Sequence, residues 1–283
     1  MELCTSSVRR ITLEIASMAR LTAQRAETPR SPHQRQAPII VEMDGSMLPL
    51  VASEGQGDRR KIRKCFWAET RAGTAQKLGD VDWKYSCSFG STDDLGDQMR
   101  GLLQRMGWLE SELFYSVGDG AKWITEQLER IAGPNFIFTV DLYHLCEYFS
   151  GAAEAWSACV PEEVRRLKDL SREGKIETVL HELRERVNLY PGHDGLCSCL
   201  RYIENRPGQF RYDEALRKGL PIGSGKIEGT HRHLVQKRLK LPGCWWKREN
   251  AEKILDLRVL RANGEWESLW QRSSLPPPSE NAA

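Results

Sequence analysis

The chain has 283 residues, of which 40% are hydrophobic, enough for one large domain or two ordinary ones with a packed core. No apolar run approaches the roughly 20 residues that span a bilayer, and the N-terminus lacks the continuous apolar stretch of a signal peptide. The eight cysteines are irregularly spaced and form no C-x-x-C pair, so we predict reduced thiols and a cytoplasmic location.

The formal net charge is only +2, but the basic residues are unevenly distributed. Between Arg211 and Arg261 there are 13 Lys and Arg against 6 Asp and Glu. A local excess of this kind is typical of proteins that bind a phosphate backbone. The alternative is a solvated helical surface, and charge alone does not separate the two interpretations.

The predicted elements begin with an amphipathic helix and a polar linker. Apolar runs then predict five strands, at 39–43, 61–73, 84–91, 112–117 and 135–144. Helical spacing predicts two helices between the later strands, at 93–107 and 121–133. From Pro161 to Lys218 the pattern is wholly helical, and further helices are predicted from Gly225 to about Leu241 and at 247–262.

The order β-β-β-α-β-α-β, followed by helices, predicts a ribonuclease-H-like α/β fold. In that layout a mixed sheet is flanked by helices, and here an all-helical insertion interrupts it. The predicted parts are an N-terminal helix and linker, 1–37, a core of 38–145 and 220–270, a helical insertion, 146–219, and a disordered tail, 271–283.

Residues 221–230 read PIGSGKIEGT, which resembles a glycine-rich phosphate loop. A P-loop requires G-x-x-x-x-G-K-[ST], but Gly225-Lys226 is followed by Ile227, and Leu220 occupies the place of the first glycine. The sequence therefore disfavours a nucleotide loop. The carboxylate of Glu228, just beyond, needs its own explanation.

Three acids lie at informative positions. Asp44 ends the first predicted strand, Asp119 follows the fourth, and Glu228 lies near the start of the helix after the helical block. The first and fourth strands are neighbours in this layout, so we expect Asp44 and Asp119 side by side. Carboxylates on a rigid frame are ligands that Mg²⁺ prefers. Two such ions about 4 Å apart can promote an in-line displacement at phosphate.

Each of these acids also has a structural interpretation. Asp44-Gly45 is a common hairpin turn, Asp119 can cap the next helix, and Glu228 can pair with Arg232 one turn later. Only the combination and order of all three favour a metal site. Asp141 and His144 follow the fifth predicted strand and would share a face of the first helical turn, where we expect them to support the site.

Several segments, taken in order, resemble bacterial insertion-sequence transposases of the DDE type, in the Kra-type group related to Mutator-like transposases. The segments are EMDGSMLP, GDGAKWI, FTVDLYHLCEYF, GLPIGSGKIEGTHRHLVQKRLK and NAEKILDLRVLRANGEWESLW. The resemblance covers about residues 39–270. It implies a catalytic triad of Asp44, Asp119 and Glu228 that binds Mg²⁺, with Mn²⁺ as a possible substitute. It also implies that Asp141 and His144 form the accessory [CD]-x-x-H motif.

The same resemblance implies a bacterial, nucleoid-associated protein that acts on element ends and target DNA and assembles into homo-oligomers on DNA. We expect phosphate or base contacts from residues near Glu228: Lys226, Arg232, Lys237, Arg238, Lys240 and Trp245. For Trp245, however, core packing is the favoured role and base stacking the alternative. Only about 37 residues precede the first strand, where the family usually has a helix-turn-helix, so a truncated copy is also expected. The alternative functions are a transposase-derived DNA-binding protein without catalysis and another ribonuclease-H-like nuclease.

Overall fold

A computed structural model describes residues 4–23, 37–53, 63–108 and 113–272. The predicted disordered tail lies almost wholly outside these ranges, as does most of the predicted linker. The strands are β1 (Ile39–Ser53), β2 (Arg63–Lys77), β3 (Lys84–Ser88), β4 (Phe114–Gly118) and β5 (Phe136–Val140). The helices before the insertion are α1 (Thr5–Ala23), α2 (Thr92–Arg105) and α3 (Lys122–Ala132).

The five strands form one mixed sheet in the order β3-β2-β1-β4-β5. The first three strands are antiparallel neighbours, and β4 and β5 are added parallel to β1. Helices flank this sheet, so the predicted α/β fold of ribonuclease-H-like layout is confirmed. The predicted order of elements up to β5 is also correct.

The first strand is much longer than its apolar run predicts. It pairs with β2 from Ile39, opposite Lys77, to Ser53, opposite Arg63. Asp44 therefore lies within the strand, opposite Ala72, and not at its end. The prediction that the strand ends there is wrong, as is the hairpin-turn alternative, because antiparallel pairing with β2 continues through the Asp-Gly dipeptide.

Alternate residues of β1 face different layers, as the two-residue period of a strand requires. Ile39, Val41 and Met43 belong to the main core, together with apolar residues of α2 and α3. On the other face, Leu48 and Leu50 pack in a second cluster with residues from the C-terminal helices. The face of β1 that carries the even-numbered residues therefore packs against the helices that follow the glycine run.

The helices of the insertion begin at Leu142, before the predicted start at residue 146. They are α4 (Leu142–Ala153), α5 (Val160–Arg172), α6 (Ile176–Leu189), α7 (Asp194–Glu204) and α8 (Tyr212–Arg217). The fifth strand was predicted to extend to residue 144, but β5 ends at Val140. The reason is that the carboxylate of Asp141 caps α4, accepting from the backbone N–H groups of Tyr143 and His144. Helix α4 packs against α5 and α7.

The long helix predicted from Gly225 to Leu241 is interrupted. It consists of α9 (Gly225–Thr230), a π-helical segment (His231–Gln236) and α10 (Lys237–Leu239). The chain continues into α11 (Arg248–Ala262) and α12 (Trp266–Arg272). Within the described ranges, no helix is both long enough and apolar enough to cross a membrane.

The contact between α4 and α7 provides a test of packing in the insertion. A methyl group at Gly195 would lie 2.6 Å from the carbonyl carbon of Gly151, so Gly195→Ala forces the two helices apart. We expect it to lower the free energy of unfolding by about 1–3 kcal/mol, measured by urea denaturation. Gly101→Ala is the control, because its added methyl lies no closer than 3.6 Å to the atoms around it. An equal loss in both variants would contradict this account.

Candidate active site

The strand register brings three of the predicted acids to one level of the sheet. In the parallel pairing of β1 with β4, Ile39 lies opposite Phe114 and Val41 opposite Ser116. The same register, continued, places Asp44 level with Asp119. The register of β4 with β5 likewise continues from Gly118, opposite Val140, to place Asp119 level with Asp141. The expectation that Asp44 and Asp119 lie on neighbouring strands therefore agrees with the topology.

The glycine run reaches this level because Asp141 binds it. The buried carboxylate of Asp141 accepts hydrogen bonds from both the backbone N–H, at 2.7 Å, and the hydroxyl of Ser224. The backbone N–H of Leu142 also donates to the carbonyl of Ile222, at 2.9 Å. Gly223 permits this approach, since a side chain there would meet the Tyr143 ring at 2.9 Å.

A second buried acid, Glu42, holds the start of α9. Its Oε2 accepts a hydrogen bond from the backbone N–H of Ile227 at 2.8 Å, and the residue is only 1% exposed. Burial raises the pKa of Glu42 to about 7, while the bond from Ile227 opposes the shift. Because α9 is fixed at Ser224 and Ile227, the exposed Glu228 is positioned by contacts that do not involve its own side chain.

Asp44 feels the charges of both other predicted site acids. The pKa of Asp44 is raised to about 6, mainly by burial and also by the nearby charges of Asp119 and Glu228. Glu69 is a fourth acid that acts in the same direction, although it is paired with Arg71. Among the described residues, no three His, Cys, Asp or Glu side chains are placed so that they could hold one metal ion.

His231 is a site residue that the sequence analysis missed. It lies three residues after Glu228 at the start of the π-helical segment, and its Nε2 is 3.4 Å from Oδ2 of Asp44. The ring is 3% exposed, and within the described part of the chain neither of its nitrogens has a partner in hydrogen-bond geometry. Burial lowers the pKa of His231 to about 4, so the ring is neutral at physiological pH. The available signal was the E-x-x-H spacing, which places both side chains near one helix face.

The helical insertion holds the loop that carries Asp119. The hydroxyl of Tyr202 donates to the backbone carbonyl of Asp119 at 2.6 Å, and the guanidinium of Arg206 donates to the carbonyl of Gly120 at 2.9 Å. Gly120 has a positive φ of 82°, a conformation that favours glycine. The carboxylate of Asp119 also accepts from the backbone N–H of Ala121 at 2.8 Å. Helix α3 begins at Lys122 and its N-cap is Ala121, so the prediction that Asp119 is the N-cap is wrong.

His144 contacts the side chain that supports this loop. Its ring lies edge-on to Tyr148 and Tyr202, with centroid distances of 5.5 and 5.9 Å, and those two tyrosines stack at 3.9 Å. Its Nδ1 is 3.2 Å from Glu147. His144 thus lies one side chain away from the backbone of Asp119, a position suited to support.

The predicted DNA-binding residues occupy different surroundings. The Nζ of Lys226 lies over the rings of Trp83 and Tyr85, at 5.1 and 5.5 Å. Arg238 and Lys240 lie over Trp246 and Trp67, respectively. The side chains of Arg232, Lys237 and Trp245 are exposed. The core packing favoured for Trp245 is wrong, because Trp245 is 41% exposed and it is Trp246 that packs against the second cluster.

Comparison with known proteins gives two curated relatives from Caldanaerobacter subterraneus subsp. tengcongensis. The UPF0236 protein TTE2489 is 29% identical over 154 residues, which are 54% of this chain and 32% of the relative. A second UPF0236 protein, whose name joins eleven designations from TTE0033 to TTE2212, matches with the same identity and coverage. The chain thus spans about a third of the length of these relatives.

The sequence also matches, over residues 1–272, the family described as "Uncharacterised protein family (UPF0236)". This match covers nearly all of the chain, including every residue of the candidate site. The protein therefore belongs to the UPF0236 family.

Proposed function

We propose that this protein is a DNA transposase that cleaves DNA at the ends of a mobile element and joins the freed 3′-hydroxyl to target DNA. The proposal is supported by the strand register that sets Asp44 level with Asp119, and by the bond from Ile227 to Glu42 that holds the helix of Glu228 against β1. The charges of Asp119 and Glu228 both raise the pKa of Asp44. Like charges gathered in this way disfavour ionisation, and a bound cation would offset their repulsion.

The donor chemistry of the three acids fits Mg²⁺, a hard cation that prefers carboxylate oxygens. When bound, such ions activate a water or 3′-hydroxyl and stabilise the leaving oxygen. Mg²⁺ usually takes one or two protein carboxylates and completes its shell with water and substrate phosphates. Two ions could therefore be held by Asp44 with Asp119 and by Asp44 with Glu228, without a closed set of three protein ligands. Mn²⁺ suits the same donors.

The surrounding residues would keep these carboxylates in place while DNA binds. Tyr202 and Arg206 fix the loop of Asp119, and Asp141 and Glu42 fix the helix of Glu228. His231 is neutral beside Asp44, so it adds no positive charge that would compete with a cation there. Placement before binding matters because misplaced groups in an active site cost rate.

DNA is the proposed partner because of the charge around α9 and α10. From Gly229 to Arg248 the chain has six Lys and Arg and no Asp or Glu. Arg232, Lys237, Arg238 and Lys240 are exposed on the segment that follows Glu228. Phosphate contacts from these side chains would bring a DNA backbone to the acids. Assembly of more than one copy on DNA and association with the nucleoid belong to the same proposal.

The name of one relative also supports a mobile element. It joins eleven designations in a single strain, as expected of a gene that is present in many copies. Many nearly identical copies are typical of insertion sequences. A second candidate function, a DNA-binding protein without catalysis, is favoured by the absence of a preformed three-ligand set among the described residues.

The first prediction for this proposal concerns the three acids. Asp44→Asn, Asp119→Asn and Glu228→Gln should each lower Mg²⁺-dependent cleavage of DNA carrying the element ends by about 10³-fold or more, because each removes a ligand charge. Combined changes should add little further loss, since the three act as one unit. Binding of DNA should persist or tighten.

Glu249→Gln is the matched control, an exposed acid at the start of α11 that should leave cleavage unchanged. Strong wild-type cleavage that survives Glu228→Gln would refute the proposal. Cleavage without joining to a target would identify a nuclease, and a well-folded protein that binds DNA without cleaving it would favour the second candidate.

A further prediction concerns the basic segment. Replacing Lys237, Arg238 and Lys240 with Gln should weaken duplex DNA binding and flatten its salt dependence. Each lost phosphate contact should reduce the slope of log K against log salt by about 0.9. The measurement is fluorescence anisotropy at several salt concentrations. The charge-matched control replaces Arg165, Arg172 and Lys175, exposed residues of the helical insertion. An unchanged slope in the first variant would mark this segment as a solvated surface.

The last prediction here concerns His144. His144→Ala should lower cleavage only partly, because the ring contacts Tyr202 and not the acids. Tyr202→Phe, which removes the hydroxyl bond to the carbonyl of Asp119, should cause a comparable loss with a similar melting temperature. Complete loss of cleavage in well-folded His144→Ala protein would instead place His144 in direct contact with metal or substrate.

A further inference from the structure

The outer half of the β1–β2 ribbon carries exposed aromatic residues that the candidate active site does not use. Strand β3 pairs with β2 only between Arg71 and Ala75, so in the described part of the chain residues 63–70 have a strand on one side only. Trp67, in this outer half, is 55% exposed, and Phe66 is 41% exposed. Exposed aromatic residues that lie close together can mark a surface that contacts a ligand or partner.

The register of the sheet places Trp67 and Trp245 in one row. Trp67 lies opposite Pro49 in the antiparallel pairing of β1 and β2. On the other side of β1, Leu50 forms a parallel bridge with Trp246, and the N–H of Val51 donates to the carbonyl of Trp246 at 2.8 Å. Trp245 is therefore level with Pro49 as well.

Residues at one level of neighbouring strands share a face, so Trp67, Pro49 and Trp245 lie on the same side. The two tryptophans are two strand spacings apart, about 10 Å. Trp245 is 41% exposed, whereas its neighbour Trp246 faces the other side and packs against the second cluster. Pro49 between them is buried. We call Trp67, Pro49 and Trp245 the aromatic shelf.

Basic side chains border the aromatic shelf. The Nζ of Lys240 lies 5.6 Å from the ring centroid of Trp67, and Lys247 is two residues from Trp245. Both lie in the stretch from Gly229 to Arg248 that contains no acidic residue. Apolar ring faces bordered by ammonium groups complement a polymer that alternates aromatic bases with phosphates. An apolar peptide would not need this charge, and an acidic peptide would not need the flat ring faces.

We propose that the aromatic shelf binds unpaired nucleotides of DNA, with bases stacking on Trp67 and Trp245 and phosphates contacting Lys240 and Lys247. The choice of DNA over RNA rests on the proposed function. Pro49 lies five residues beyond Asp44 on β1, about 17 Å away, and on the opposite face of the strand. A strand on the aromatic shelf is thus not the reacting one. It is a single-stranded flank that the protein holds apart from the acids.

The test is binding of a fluorescent dT20 oligonucleotide and of a blunt 20-bp duplex to the full chain, measured by anisotropy in EDTA. Trp67→Ala and Trp245→Ala should each weaken binding of dT20 about 5- to 100-fold, because each variant lacks one ring on which a base stacks. Binding of the blunt duplex should stay within about twofold. Trp67→Phe should retain most of the affinity for dT20, and Trp270→Ala, in α12, is the control for loss of an exposed tryptophan.

Three outcomes would overturn the proposal. The first is unchanged dT20 affinity in both alanine variants with wild-type melting temperatures. The second is an equal loss on dT20 and on the duplex, which would indicate a surface that recognises phosphate alone. The third is a poly-glutamate peptide that competes with dT20 in the wild type as well as DNA does, which would indicate an acidic protein partner. Because EDTA removes metal, failure of the proposed cleavage activity would not alter these results.

Discussion

The arrangement of the site depends on one buried carboxylate, that of Asp141. It is 3% exposed and accepts four hydrogen bonds, from the N–H groups of Tyr143 and His144 and from the N–H and hydroxyl of Ser224. A buried charge is tolerated only when its hydrogen bonds are satisfied. Here the hydrogen bonds of Asp141 connect the end of β5, the start of the insertion and the glycine run. Residues more than 80 positions apart are thereby held in contact.

Two acids on the same face of β1 show how burial separates structural from chemical roles. Glu42 is almost fully buried and bonded to Ile227, so its carboxylate is committed to holding α9. Asp44, two residues later, keeps 37% of its side chain exposed and lies beside other acids. The same residue type could serve either purpose. The distinction follows from where α9 crosses the strand, since the helix covers Glu42 and leaves Asp44 accessible.

Sequence patterns predicted the order of strands, and with it the neighbourhood of Asp44 and Asp119, because topology follows from element order. They did not predict the length of β1, since Gly45 and Pro49 interrupt the apolar pattern while distant pairing with β2 supplies the hydrogen bonds. Tyr202 and Arg206 were also missed. Their contacts join segments more than 80 residues apart, and no local periodicity in the sequence indicates such a contact. The buried ring of His231 was missed although its E-x-x-H spacing after Glu228 is a local signal.

The π-helical segment His231–Gln236 sets the relation between Glu228 and the basic residues after it. Each residue of an α-helix turns the chain by about 100°, and a π-type turn accommodates one residue more than an α-type turn. Deleting a single residue here would restore a regular helix and rotate Lys237 and Arg238 about a quarter-turn away from their present direction. The length of this segment therefore sets the angle around the helix between Glu228 and the basic residues Lys237 and Arg238. One deletion mutation could change that angle in evolution while every side chain of the site is retained.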